Sequence, residues 1–247
     1  MGIDPYGDPD LVMLYDQDNP DGPDHDFFRG LADRLDAHRI VDLGCGTGLL
    51  TRSLATAART VLGVDPSATM LDFAVAQPTA SRVAWLRGDA GAIPATGDAD
   101  LVISSGNAIM HITPADLPGT LACVAAGLRP GGCFAFDTRN PARRAWEEWT
   151  PSATLSERPT SFGHLREWLE VTCVDPASGA VVFDAHNVID DREDRVATTI
   201  LYFRTPEELA NRLAEAGFTE VDIAGGWSGQ PVAPASTALV VTARLRP

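Results

Sequence analysis

The sequence predicts an α/β protein, with a doubly wound, mainly parallel sheet of seven strands and an antiparallel β meander inserted into it. Short apolar runs alternate with amphipathic segments through residues 24–150, a pattern typical of a parallel sheet covered by helices. A glycine-rich turn follows the first apolar run, as in a strand–loop–helix unit. Three runs with period-2 alternation then follow one another without helices between them, and these runs predict the meander.

Each predicted strand is a short apolar run, and each predicted helix has apolar residues on one face. The strands of the main sheet are predicted at 39–43, 60–64, 83–86, 100–104, 132–137, 218–224 and 238–245. The helices are predicted at 24–37, 47–58, 67–76, 113–128, 140–149 and 205–217. The meander is predicted from runs at 164–174, 180–189 and 195–204. We therefore expect residues 24–150 and 205–247 to form one domain. Residues 151–204 are expected to form an inserted subdomain that covers a bound molecule or makes a dimer contact.

The N-terminal segment, residues 1–23, is rich in Asp, Pro and Gly. This composition predicts mostly irregular chain, with one short helical turn from Leu11 to Tyr15. Two interpretations stay open for the segment. It is a solvated arm, or it is a lid that covers a ligand.

The composition excludes several classes of partner. The chain has 34 Asp and Glu against 19 Lys and Arg, a formal charge of −15, and no basic stripe, so nucleic-acid substrates are not expected. Its four cysteines are scattered and predict neither a disulfide framework nor a metal site. No run of 18 apolar residues and no signal peptide is recognised, so we expect a cytoplasmic protein without a membrane partner.

The glycine-rich turn runs from Gly44 to Gly48, directly after the first predicted strand. Its glycines can adopt positive φ and carry no Cβ, so a ligand can approach the backbone closely. Asp65 ends the next predicted strand, where an acid usually binds a pair of ribose hydroxyls. A dinucleotide fingerprint would have its third glycine where this chain has Leu49. An NAD(P)-dependent reductase therefore stays an alternative whose motif is incomplete.

Three later stretches bear on this choice: Gly88-Asp89-Ala90, Asp100 to Ser104, and Leu128 to Gly132. With the glycine turn, their order and spacing resemble the small-molecule class I methyltransferases that use S-adenosylmethionine (SAM), over residues 24 to 140. The resemblance implies a Rossmann-like sheet whose last strand is antiparallel. The run from Gly106 to His111 is also similar to one in glycine and sugar-amine N-methyltransferases, with Ala108 in place of a serine.

The resemblance implies a role for each residue around the cofactor. The methionine end of SAM would lie against the backbone of Gly44, Cys45 and Gly46, with its amine near Asp42, whose other role would be to cap the turn. Asp65 would accept the ribose hydroxyls. On the adenine, Asp89 and Ala90 would bind the polar edge and Met70 would cover the face, unless Met70 is simply core. The remaining cofactor residues implied are Tyr15, Pro66, Ser104, Ser105 and Gly106.

The acceptor side is less defined. His111 would act as a general base or hold its loop by a hydrogen bond, and Arg139 would bind an acidic acceptor or pair with Asp137. The leading hypothesis is transfer of a methyl group from SAM to a nitrogen or oxygen of a small-molecule acceptor, in a protein that is monomeric or a homodimer. A protein that binds SAM without methyl transfer, or uses it for other chemistry, is the alternative.

Overall fold

The computed structural model describes residues 3–247. The first five strands are β1 (Arg39–Leu43), β2 (Thr60–Asp65), β3 (Val83–Arg87), β4 (Ala99–Ser104) and β5 (Leu128–Arg139). The insertion contributes β6 (Ser156–Thr160), β7 (Gly163–Asp175), β8 (Ala180–Ile189) and β9 (Arg195–Tyr202). The last two are β10 (Phe218–Ala224) and β11 (Ala238–Leu245). The helices are α1 (Pro9–Asp18), α2 (Pro23–Arg34), α3 (Leu49–Leu54), α4 (Ala68–Ala76), α5 (Leu117–Gly127), α6 (Pro151–Thr154) and α7 (Pro206–Glu215).

The main sheet has seven strands in the order β10-β11-β5-β4-β1-β2-β3. β1 pairs in parallel with both β2 and β4, whereas β11 is antiparallel to both of its neighbours. The predicted fold class is therefore confirmed. The strand order reverses between β1 and β4, and a crevice at the carboxyl ends of strands at such a switch point is where ligands bind in this architecture.

Helices cover both faces of this sheet. Along β4, Leu101 and Ile103 are buried in one apolar cluster with Phe28 of α2, while Val102 is buried in the other with Leu121 of α5. Successive side chains of a strand point to opposite faces, so this alternation shows that the sheet has a core on each side. The sheet is thus held rigidly, and the loops at its carboxyl edge are free to form a site.

Three predicted helices differ from the observed ones. The helix predicted from Thr113 begins at Leu117, because the Thr113 hydroxyl accepts the Asp116 N–H at 3.2 Å and closes a separate turn first. α3 ends at Leu54, where the chain becomes extended at Ala55. The helix predicted at 140–149 is instead two 3₁₀ turns, interrupted at Arg144, which has a φ of 48°.

The segment before residue 24 contains more helix than predicted, because the turn expected from Leu11 to Tyr15 is part of a longer helix. α1 occupies ten residues of it, capped by the Asp8 carboxylate, which accepts the N–H groups of Asp10 and Leu11 at 3.0 and 3.3 Å. Pro9 stands at the start of the helix, a position that suits its fixed φ. Leu14 is 1% exposed, so the segment is packed against the protein.

The insertion forms a four-stranded antiparallel sheet in the order β6-β7-β8-β9. The sequence predicted three of these strands and missed β6, an edge strand that contains Pro159, which a central strand would not accept. Leu201 and Phe203 are buried in the same cluster as Trp149 and the main sheet. The boundaries predicted for the N-terminal segment, the main domain and the insertion stay a prediction. The insertion and the main sheet share one apolar cluster. Within residues 3–247, no helix has the length and apolar character needed to cross a bilayer.

Candidate functional site

Two cavities open at the carboxyl edge of the main sheet and meet at the glycine turn. The first has a volume of about 340 Å³ and the second about 310 Å³. Both are bordered by the same five residues: Tyr15, Gly44, Gly46, Ser105 and Gly106. An elongated ligand lying across this shared border would therefore occupy both.

The structure brings together nearly all of the residues predicted from the sequence. Besides the shared five, those that line the first cavity are Asp65, Pro66, Met70, Asp89, Ala90, Ser104 and His111. Those that line the second are Cys45 and Arg139. Asp42 lines neither. The main residues that the sequence analysis missed are Tyr6 in the first cavity and Asp24, His25, Thr47 and Trp227 in the second.

The glycines of the turn serve different purposes. Gly46 has a φ of +53°, and a Cβ built on it would have no protein atom within 4 Å, although the residue borders both cavities. A side chain there would therefore project into space that a ligand can use. At Gly48 a Cβ would lie 2.4 Å from the Trp85 ring, so this glycine is needed for packing and not for ligand approach. The expectation for Gly48 is corrected accordingly.

Asp65 shapes the same turn. One of its carboxylate oxygens accepts the Gly46 N–H at 2.8 Å, and the other accepts the Ser67 N–H at 2.8 Å. Burial raises the pKa of this carboxyl, and the two hydrogen bonds oppose that rise. Each oxygen still has a free lone pair. Because the residue also borders the first cavity, its two oxygens are suited to accept hydrogen bonds from a diol.

We expect Asp65→Ala to weaken SAM binding by one to two orders of magnitude, because about 1.5–3 kcal/mol of charge-assisted bonding is lost. Isothermal calorimetry with SAM measures the change. Asp72→Ala is the matched control, since Asp72 lies on the exposed side of α4 away from both cavities. Equal SAM affinity in the two variants would remove Asp65 from the site.

Asp42 was expected at the methionine amine, and the structure places it beneath the turn instead. Its side chain is 1% exposed, and one oxygen accepts the Thr51 hydroxyl at 2.6 Å. Burial raises the pKa of Asp42 to about 6. The sequence could not distinguish a residue that lines a cavity from one that supports it from below, because Asp42 lies near the end of β1, only two residues before the turn.

The part of the first cavity bordered by Asp89 and Ala90 contains a second polar edge. The Asp89 carboxylate accepts the Gly91 N–H at 2.8 Å and caps the 3₁₀ turn that begins at Ala90. Met70 borders the cavity and is only 2% exposed, so it belongs to the core and also offers an apolar surface to a ligand. An acid, a backbone N–H and an apolar wall form a set suited to an adenine ring.

Two tyrosines from the N-terminal segment border the first cavity. This position supports the interpretation of the segment as a lid. The Tyr6 hydroxyl lies 3.1 Å from His111 Nε2, and the two rings meet edge to face with centroids 5.5 Å apart. Burial, with a contribution from Asp65, raises the pKa of both tyrosines, that of Tyr15 to about 12. Both hydroxyl groups are therefore protonated at neutral pH. Tyr6 was missed because a composition rich in Asp, Pro and Gly predicts irregular chain.

His111 ends a 3₁₀ turn that starts at Ala108. Arg204, buried at the end of the insertion, donates to the carbonyl oxygens of Ile109, at 3.1 Å, and of Ile112, and so fixes both ends of the segment that carries His111. Removal of water by the surrounding protein lowers the pKa of His111. The imidazole is therefore neutral at neutral pH and can accept a proton.

The second cavity contains Asp137 and Arg139 at the end of β5. One Asp137 oxygen accepts the Asn107 N–H at 3.0 Å, and burial raises the pKa of this carboxyl to about 7. The two side chains do not form an ion pair within 4.0 Å in the described chain, so of the two roles left open for Arg139 the pairing with Asp137 is wrong. The guanidinium carbon of Arg139 instead lies 5.5 Å from the centre of the Trp149 ring.

Known proteins that are similar in sequence match about half of this chain, whereas those that are similar in structure match almost all of it. Residues 40–132 match the family model of a methyltransferase domain. A bifunctional biotin biosynthesis protein of Cellvibrio japonicus is 35% identical over 47% of this chain and 23% of its own length. A ubiquinone biosynthesis O-methyltransferase of Methylobacterium nodulans is 31% identical over 45% of each chain. An uncharacterized methyltransferase of Synechocystis is 37% identical over 47% of this chain and 53% of that protein. The chain thus spans about half or less of these relatives' lengths.

Solved structures are similar over almost the whole chain. A SAM-dependent methyltransferase from Clostridium acetobutylicum has a TM-score of 0.79 at 17% identity, covering 96% of this chain and 98% of that one. The sugar N-methyltransferase KedS8 from Streptoalloteichus has a TM-score of 0.73 at 18% identity, covering 95% and 92%. At such identities the likeness establishes the fold. The predicted resemblance is confirmed as a resemblance: residues 40–132 match a methyltransferase domain, and the structural neighbours include SAM-dependent methyltransferases.

Proposed function

We propose that this protein transfers a methyl group from SAM to a nitrogen or oxygen of a small-molecule acceptor. The observation that carries the proposal is that two cavities meet at Gly46, one with the polar edges for an adenosine and the other leading away from it. A protein that only stores or senses SAM has no use for a base, whereas the neutral imidazole of His111 borders the first cavity. Relatives named as O-methyltransferases and neighbours named as sugar N-methyltransferases support a small acceptor with either nucleophile.

The residues present fit SAM. A Cβ at Gly46 would enter the space where the methionine end would lie, Asp65 offers two acceptors for the ribose hydroxyls, and Asp89 offers one for the adenine. When bound, SAM supplies a methyl group activated by a sulfonium. Leu49, at the start of α3, replaces the glycine that a dinucleotide would require and argues against an NAD(P)-dependent reductase.

The chain's own contribution is to hold the acceptor in line, exclude water and receive a proton. Tyr6 and Tyr15 border the first cavity from the N-terminal side and shield it from solvent. The neutral His111 can receive the proton of an acceptor hydroxyl or ammonium at Nε2 once that group takes the place of the Tyr6 hydroxyl, which is hydrogen-bonded there at 3.1 Å. Arg204 keeps the imidazole in place through the backbone of the same segment.

The function is tested in two steps. In a thermal-shift titration, SAM and S-adenosylhomocysteine (SAH) should raise the melting temperature, whereas NAD should not. SAH release is then measured with a panel of amines, amino sugars and phenols. Stabilisation by NAD alone would contradict the proposal. Tight SAM binding without SAH release from any acceptor would favour the alternative of SAM binding without methyl transfer.

The pH dependence of transfer tests His111. Because its pKa is lowered, the base stays neutral as the pH falls through the ordinary histidine value of about 6.5. We therefore expect kcat to hold through that pH and to decline only below it. In His111→Gln, kcat should fall by about 10²-fold or more, the ordinary size of a base contribution, and the acid limb should disappear. Tyr6→Phe is the control, since it removes the hydroxyl and leaves the imidazole. If kcat of His111→Gln still declines at low pH as in the wild type, the group that titrates belongs to the acceptor and not to His111.

We also propose a homodimer contact through the smaller sheet. β9 is an edge strand of that sheet and carries Ile200, which is 42% exposed. Light scattering on the purified chain, with Ile200→Lys as the comparison, measures the oligomeric state. A monomeric mass in both would contradict the contact.

A further inference from the structure

The second cavity carries more negative than positive charge. The described residues that line it include three carboxylates, those of Asp16, Asp24 and Asp137, and one guanidinium, that of Arg139. The proposed function gives the three acids no role in binding. A partly enclosed space with this balance of charge favours a ligand that brings a positive charge of its own.

The neighbours of these acids do not cancel the excess. Asp16 accepts the Thr47 hydroxyl at 2.5 Å, a bond that leaves its charge in place. His25 also borders the cavity, but its Nδ1 lies 3.0 Å from Asp21, which borders neither cavity. A proton on this imidazole is therefore matched by Asp21. Its Nε2 lies 3.8 Å from Asp24, which is beyond hydrogen-bond distance.

Asp137 has a buried oxygen without a partner. The residue is 3% exposed, and one of its oxygens accepts the Asn107 N–H at 3.0 Å. The other, Oδ1, is buried and accepts no hydrogen bond from residues 3–247. A buried carboxylate oxygen without a donor is unfavourable, and a ligand N–H that reaches it removes that cost. Burial raises the pKa of this carboxyl to about 7, and a cation bound beside it would favour the ionised form.

The loop between β10 and β11 contributes an aromatic ring to the same cavity. Trp227 borders the cavity and packs against Phe27 and Phe28, with ring centroids 5.8 and 5.9 Å apart. Asn140, which is 1% exposed, holds the loop by donating from its side-chain amide to two of the loop's carbonyl oxygens at 3.0 Å each. The indole is therefore held in place, and an indole ring attracts an ammonium that lies over its face.

We propose that the acceptor carries an ammonium that is not the methylated group, and that Asp137, Asp24 and Trp227 bind it; this inference rests on the proposed function. The base, His111, borders the first cavity and not the second, whereas these three residues border the second and not the first. The reacting atom and the ammonium therefore lie at different places on the acceptor. A diamine, or an amine with a separate hydroxyl group, is an acceptor of this class.

The cofactor alone does not balance the acids of the second cavity. The amino-acid end of SAM has one ammonium and one carboxylate, so it adds no net charge wherever it lies. The sulfonium contributes a single positive charge, which disappears when the methyl group is transferred. The three carboxylates exceed the one guanidinium by more than this charge, so a second cation is favoured.

The first measurement tests whether the cofactor uses Asp137. Calorimetry compares the binding of SAH with that of 5′-methylthioadenosine, which lacks the amino-acid end, in wild type, Asp137→Asn and Asp72→Asn. The asparagine removes the charge but can still accept the Asn107 N–H, and Asp72 is an exposed residue of α4 that borders neither cavity. Both ligands should bind both variants within tenfold of wild type. If Asp137→Asn loses more than tenfold for SAH alone, Asp137 binds the methionine amine and the inference is overturned.

The second measurement tests the acceptor. The SAH-saturated protein is titrated with two pairs of probes that differ by one ammonium: tyramine with 4-ethylphenol, and 1,4-diaminobutane with 1-aminobutane. In wild type and Asp72→Asn, the more cationic member of at least one pair should bind at least tenfold more tightly than its partner. In Asp137→Asn this preference should disappear. Its absence in wild type, or its persistence in Asp137→Asn, overturns the inference.

A second variant covers the case in which Asp137→Asn binds neither SAH nor 5′-methylthioadenosine because the Asn107 loop has moved. Asp24→Asn is then titrated with the same probes, since the Asp24 side chain is 32% exposed and its loss leaves that loop intact. The preference should again disappear, and its persistence overturns the inference. Failure of wild type to bind SAH would instead contradict the proposed function itself.

Discussion

Gly46→Val is expected to weaken SAM binding by at least about 100-fold, which corresponds to about 2.8 kcal/mol, while the protein stays folded. The added side chain would meet no protein atom within 4 Å at Cβ, and it would project into the space shared by both cavities. The methionine end of SAM would have to leave the turn to avoid it. The positive φ adds about 1–2 kcal/mol of strain, which costs stability but does not itself block binding.

Gly229→Val separates the two effects. Gly229 has a φ of +74° and also has no atom within 4 Å of a built Cβ, but it lies in the loop before β11 and borders neither cavity. Both variants should show a similar loss of melting temperature. Calorimetry should show normal SAM affinity in Gly229→Val and none measurable in Gly46→Val. Equal affinities would mean that Gly46 does not border the cofactor.

Much of this site could be predicted because its residues follow strand ends in sequence. A parallel sheet brings the carboxyl ends of its strands to one edge, so Gly46, Asp65 and Asp89 converge without any knowledge of side-chain packing. The same rule fails within a turn. Asp42 precedes the glycines by only two residues, yet it lies below the cavities and bonds to Thr51. The position of a residue along its strand predicts that it lies at the carboxyl edge of the sheet, but not whether it lines a cavity there or lies beneath it.

Contacts that depend on distant segments could not be predicted. Tyr6 and His111 are 105 residues apart, and nothing local to either residue indicates the other. Arg204 is similarly far from Ile109, whose carbonyl it binds. Local chemistry competes too: the Thr113 hydroxyl closes a turn, although Thr followed by Pro is also a common helix start. A pattern within one segment predicts only the structure of that segment, whereas the acceptor side is built from several segments that are far apart in sequence.

The N-terminal segment and the insertion are connected more closely than their sequences indicate. Arg195 of β9 pairs with Asp8 and Asp10 at 3.2 and 2.8 Å. Leu14 of α1 is buried with Leu165 and Ile189 of the insertion, in a cluster separate from the main core. The helix that carries Tyr15 is therefore held by the insertion on one side. Its loop also bonds to the main domain through the Ser67 hydroxyl, which donates to the Tyr6 carbonyl at 2.5 Å.

Leu14→Asp is accordingly expected to weaken SAM binding by about 100-fold, or about 2.8 kcal/mol, without unfolding the main domain. A carboxylate buried against Leu165 and Ile189 would lose its water without gaining a partner, so α1 would leave its place and withdraw Tyr15 from the cavity. The main sheet should keep its cooperative melt, since Leu14 belongs to neither of its two clusters.

Met13→Asp is the matched control for this variant, because Met13 is the preceding residue of the same helix and is 49% exposed. Hydrogen exchange should show loss of protection of α1 in Leu14→Asp alone, and calorimetry should show the loss of SAM affinity in the same variant. Surface ion pairs such as Arg195–Asp10 contribute about 0–1 kcal/mol, too little to hold the helix once the apolar contact is gone. If α1 loses protection while SAM binds as tightly as before, the N-terminal segment packs beside the cofactor site without covering it.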